Sequence, residues 1–175
     1  MQQRNLTMLT DLYQLTMMYG YFRHGMGENR AVFDLFYRKA GEEISLAVAA
    51  GLEQAIDYVQ NLHFEEHDLD YLRSLNMFDE AFLEYLRTFR FTGDINAVPE
   101  GTIVFPNEPL LQVNAPLMEA QLLETALLNI INHQTLIATK ARRVVQAADG
   151  DSVLEFGLRR AQGPPRKARP RGHRA

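Results

Sequence analysis

The chain has 175 residues, 46% of them hydrophobic, and no cysteine; it is long enough for a core in one domain or one and a half, and without thiols a disulfide, a thiolate nucleophile or a Cys-based zinc site is excluded. The formal net charge of −4 is unevenly spread, because Arg159 to Ala175 hold seven of the 18 Lys and Arg and none of the 22 acids. The body is therefore acidic, which argues against general nucleic-acid binding, since backbone affinity needs clustered cations. No run of 18 apolar residues occurs, and the opening MQQRNLTMLTDLYQL lacks a basic segment followed by an apolar core. The expectation is a cytoplasmic protein with no membrane association.

In chain order, Thr10 reads as an N-cap with Asp11 in the first turn, and Leu12, Leu15, Tyr19 and Phe22 recur at helical spacing, predicting a helix over 11–23 that ends near Gly25. AVFDLFYRK (31–39) alternates β-branched and aromatic residues and predicts a strand with both faces partly buried. SLAVAAGL predicts a second, inner strand, and LEQAIDYVQNL a short helix behind it. Helices follow over 65–75 and 79–90, the second opened by Asp79 and burying Phe82, Leu83 and Leu86. The texture then changes. Residues 93–113 set short apolar runs between Gly and Pro, the pattern of hairpins and small barrels. Residues 117–148 contain no Gly or Pro and carry apolar residues at 123, 127, 130, 131, 137, 144 and 145. That length predicts two helices or one bent near Asn132. DSVLEFG predicts a closing strand that leads into Arg159 and Arg160.

Two guanidinium groups at the carboxyl end of a strand suit phosphates and carboxylates through bidentate hydrogen bonds. The bland alternative is a solvated pair in a loop. Lys140, with Thr139, Arg142 and Arg143, offers a cation towards a phosphate, against solvated or interface charge. His133 reads as packed within an apolar helix, and His63 and His67 lack a placed third ligand, so no metal site is assigned.

The segments LTDLYQLTMMYGY, FDLFYRK, PEGTIVFPNEPLLQV, AQLLETALLNIINHQTLIATKA and LEFGLRRAQGP together resemble, in order and spacing, the amino-terminal part of bacterial nicotinate phosphoribosyltransferases. The resemblance covers residues 6 to 164. It implies the fold of type II phosphoribosyltransferases: an α+β N-terminal domain with the start of an irregular α/β barrel. It places the N-terminal domain at 1–116, including the β-rich segment 93–113, and a helical segment with the first barrel strand at 117–164.

The implied reaction forms nicotinate mononucleotide and pyrophosphate from nicotinate and phosphoribosyl pyrophosphate, with ATP hydrolysis and Mg2+, in NAD salvage. By resemblance, Tyr13 stacks on the nicotinate ring from a neighbouring subunit of a homodimer, and Arg159 and Arg160 line the phosphoribosyl pyrophosphate pocket. The histidine that ATP phosphorylates in the family has no counterpart in this chain, so no catalytic residue is assigned. Family members are more than twice this length. The match stops at Pro164, and 165–175, with five cations in PRKARPRGHRA and no apolar residue larger than alanine, is read as a disordered basic tail introduced by a frameshift. Three alternatives stay open: a basic arm for RNA or an acidic partner, a non-catalytic dimerisation or regulatory truncation, and a nicotinamide phosphoribosyltransferase-like enzyme.

Overall fold

A computed structural model describes residues 5–38 and 46–160; the expectations for the tail, and for the ends of the first two strands, fall at least partly outside the described residues. Helix α1 (Leu12–Arg23) has Asp11, not Thr10, at its N-cap. Thr10 instead directs its hydroxyl to the Gln14 side chain. The face that α1 turns inward carries Gln14, Leu15 and Met18, whereas Leu12 remains 47% exposed. Gly25 then takes a positive φ of 65°.

Strand β1 (Arg30–Phe36) has one buried residue, Leu35, so the expected burial of both faces does not occur. The next segment forms only a two-residue strand, β2 (Ala47–Val48), for a visible reason. The Val48 amide donates to Thr139 Oγ1 at 2.9 Å and the Ala50 amide to Thr135 Oγ1 at 3.3 Å. Helix side chains satisfy the backbone groups that an inner strand would offer to a neighbour.

Helix α2 (Leu52–Gln60) starts from Gly51, whose φ of 107° no side chain accommodates easily. A Cβ there would also press on Ile130 O at 3.2 Å. Because Gly51 has no side chain to cap with, Glu100 supplies the oxygen from a distant turn, accepting the Gly51 amide at 2.7 Å. Helix α3 (Glu66–Ser74) opens with a capping box between Glu65 and Asp68. Helix α4 (Glu80–Thr88) is capped by Asp79, which accepts the Phe82 amide, and buries Phe82, Leu83 and Leu86 as expected. Tyr19 and Phe22 of α1 meet Phe82 with ring centroids 5.2 and 5.5 Å away. This aromatic contact ties α1 to α4.

The β-rich segment supplies β3 (Asp94–Ala97), β4 (Ile103–Val104) and β5 (Pro109–Pro116). They do not close a barrel among the described residues: β1, β5 and β3 form one antiparallel sheet in that order, and β2 pairs with β4. Close approach at the sheet end requires Gly93, where a Cβ would lie 2.3 Å from the Ala115 Cβ. Helix α5 (Leu117–Ala147) is one continuous helix of 31 residues, not two. Its amino-terminal half runs through the core, with Leu122, Leu123 and Ala126 at 0% exposure. Residues 152–157 form no strand. Val153, Leu154 and Phe156 there are 46, 74 and 78% exposed, and no strand lies alongside among the described residues to take their backbone hydrogen bonds. The segment ends in a single 3-10 turn, Leu158–Arg160.

Candidate functional site

The first turn of α1 lies against α5, and a polar cluster joins them. Tyr13 donates its phenol proton to Glu124 Oε1 at 3.1 Å. The neighbouring Gln14, fully buried, donates through Nε2 to Glu124 Oε2 at 3.0 Å. Thr125 Oγ1 lies 2.9 Å from Gln14 Oε1 and 2.8 Å from Asp11 Oδ2. The Tyr13 ring itself is 48% exposed. Its phenol is held above the usual tyrosine range, first by partial desolvation, then by the hydrogen bond and charge of Glu124, and last by the charge of Asp11, against a smaller lowering by Gln14. The phenol therefore stays protonated and donating through neutral pH.

Beside this cluster a groove of about 1040 Å³ opens between β1 and α5. Its walls are apolar, from Phe33, Leu35, Leu111, Val113 and Leu127, with Glu124 on one stretch of α5 and Lys140 and Arg143 on another. Sixteen residues of helix separate Glu124 from Lys140, about 24 Å at the helical rise. The Glu124 that Tyr13 meets and the Lys140 read towards a phosphate thus occupy separate stretches of α5.

Arg159 and Arg160 are exposed and stand outside the groove lining. Arg160 donates its amide to Gly157 O at 2.7 Å, closing the turn. Arg159 Nη1 reaches Phe156 O at 3.4 Å. They sit on a turn, not at the end of a strand. His133 is exposed, which corrects its reading as a packed histidine: its place on α5 faces away from the core. His63 and His67 both approach Glu65, at 3.8 and 3.3 Å, and among the described residues no three His, Asp or Glu side chains gather as metal ligands. Glu124 and Gln14 escaped the sequence reading. A trace was present, since Glu124 and Thr125 interrupt the apolar run of α5 where α1 crosses it, but a polar pair in a helix does not say which element it faces.

The model of the nicotinate phosphoribosyltransferase N-terminal domain matches residues 8–132. The chain belongs to the nicotinate phosphoribosyltransferase family. It is 51% identical over 157 residues to the nicotinate phosphoribosyltransferase of Bacillus subtilis, covering 90% of this chain and 32% of that protein. The Caenorhabditis elegans enzyme of that name is 45% identical over 161 residues, covering 90% and 29%. The crystal structure of human nicotinic acid phosphoribosyltransferase superimposes with a TM-score of 0.81 at 42% identity, over 89% of this chain and 32% of that one. The chain thus spans about a third of the length of the curated relatives it matches. Its mixed α+β architecture is that of their amino-terminal domain. None of its described helices is long and apolar enough to cross a membrane.

Proposed function

We propose that the chain supplies the amino-terminal share of a cytoplasmic enzyme that makes nicotinate mononucleotide and pyrophosphate from nicotinate and phosphoribosyl pyrophosphate, with Mg2+ and ATP. The observation that carries this reading is Tyr13, in the family's TDLYQ context, with its ring half-exposed and its phenol tethered. An aromatic face of that kind suits a flat pyridine carboxylate. Tyr13 stacks on nicotinate bound largely by a second copy, in a homodimer, and the separation along α5 supports this division. Arg159 and Arg160, with Lys140, meet the phosphates of phosphoribosyl pyrophosphate. There the transition state bears positive charge at the anomeric carbon as its bond to pyrophosphate breaks and the bond to the pyridine nitrogen forms. Holding both reactants in line accounts for much of such catalysis. The described residues gather no ligand set for magnesium. The segment 117–164 contributes the beginning of the barrel.

The test is nicotinate mononucleotide formation by a chain completed with the downstream two thirds of the Bacillus subtilis relative. The 175-residue chain alone is expected to give no turnover, and the completed chain is expected to be active. In the completed chain, Tyr13→Ala raises the nicotinate KM by up to roughly tenfold, the worth of one aromatic contact, with less effect on phosphoribosyl pyrophosphate. Arg160→Ala does the reverse. Robust turnover by the 175-residue chain, or an unchanged nicotinate KM in Tyr13→Ala, sinks the corresponding part of the proposal.

A further inference from the structure

The geometry points to Glu124, backed by Gln14, as the positioning residue that fixes the Tyr13 ring for its ligand, an inference that rests on the stacking role proposed for Tyr13. A half-exposed tyrosine is free to swing about two side-chain torsions, and each ordered torsion costs entropy when a ligand is bound. Tyr19, on the same helix, is held by ring contacts with Phe78 and Phe82. Tyr13 makes no such ring contact among those found in the described residues. Its far end is instead fastened to another helix, by the 3.1 Å hydrogen bond to Glu124.

Glu124 is exposed and would itself be mobile if that bond were its only one. Its second oxygen, however, accepts from Gln14 Nε2 at 3.0 Å and lies 3.4 Å from Gln121 Nε2. Gln14 cannot turn its amide over without loss, because Oε1 is the acceptor for hydroxyls of Thr10 and Thr125. A reversed amide would turn its oxygen onto the Glu124 carboxylate, acceptor against acceptor. The single proton of Thr125 is shared between Gln14 and Asp11, so the chain of bonds runs from α1 to α5 and back and ends on the exposed phenol. A cluster serving packing alone is complete at the Gln14–Glu124 bond. The added link to an exposed ring orders a surface that the core does not need ordered, and preorganisation of a binding face is what such a link achieves.

The test uses the 175-residue chain with tyrosine labelled at Cζ and Cβ, read by NMR. In the parent, Tyr13 is expected to occupy one χ1 rotamer and to titrate above the ordinary tyrosine range. In Glu124→Ala, a change that favours the helix, the χ1 couplings become averaged and the titration falls toward the ordinary tyrosine range. In Glu124→Gln the amide oxygen still accepts the phenol proton, but the new amide nitrogen faces the Gln14 Nε2 donor, so the single rotamer returns only in part while the titration stays lowered. In the completed chain, Glu124→Ala raises the nicotinate KM three- to tenfold with kcat unchanged, and Glu124→Gln recovers only part of it. A single Tyr13 rotamer in Glu124→Ala overturns the proposal, as does a nicotinate KM that moves in Tyr13→Ala but not in Glu124→Ala. Averaging in Glu124→Ala with an unchanged KM in Tyr13→Ala would instead leave the ring anchored as argued and remove the stacking role.

Discussion

The two halves of α5 look alike as sequence and behave oppositely in the fold. Leu122, Leu123, Ala126, Leu127, Ile130 and Ile131 are at most 5% exposed, while Leu136, Ile137, Val144 and Val145 are 49 to 59% exposed. Both sets recur at helical spacing, so periodicity marks the stripe a helix would bury without telling whether anything lies against it. The first half is enclosed by α1, α2 and β5. The second half has β2 on one side, held by Thr135 and Thr139, and open surface on the other. Large exposed apolar residues rimmed by charge are common at interaction faces.

The comparison can be broken most strongly in the enclosed half. Leu122→Ala should destabilise the chain by about 2–5 kcal/mol, through lost burial and the cavity left behind, whereas Leu136→Ala should change it by no more than about 0.5 kcal/mol. Urea unfolding of the two variants measures both, and similar losses would erase the distinction. A smaller effect is expected where the halves meet. Thr139→Val keeps the volume but removes the acceptor of the Val48 amide, leaving a part-buried donor unpaired at about 1–3 kcal/mol. Hydrogen exchange at Val48 should rise with it, and an unchanged exchange rate would mean that β2 is held by other contacts. The smallest effect on stability should come from Leu136→Asp with Ile137→Asp, again within about 0.5 kcal/mol. Yet sedimentation velocity should show less self-association for this double variant. Equal association of variant and parent would show that the open half of α5 is not the face through which copies meet.

Helix positions were the most legible part. Asp79 as a cap with Phe82, Leu83 and Leu86 inward follows from local rules, because capping and helical spacing involve residues within a turn or two of each other. The strands were less so. SLAVAAGL has strand composition, but its Val48 and Ala50 amides are taken by threonine hydroxyls 91 and 85 residues away, and DSVLEFG has strand composition with no partner strand among the described residues. Tyr13 stood out through its motif, whereas its anchor did not, since Glu124 lies 111 residues on and nothing local links the two.

By itself, the sequence determined the family, the absence of thiol chemistry, the acidic body, the positions of the first four helices and the Asp79 cap, all of which depend on composition or on short-range geometry. Only the tertiary structure decided which half of α5 is enclosed, that β1, β5 and β3 share one sheet, and that Glu124 and Gln14 hold Tyr13. These depend on which distant surfaces meet. A chain specifies its apolar stripes residue by residue, but burial and hydrogen-bond partners are properties of pairs of surfaces, and those exist only once the chain has folded.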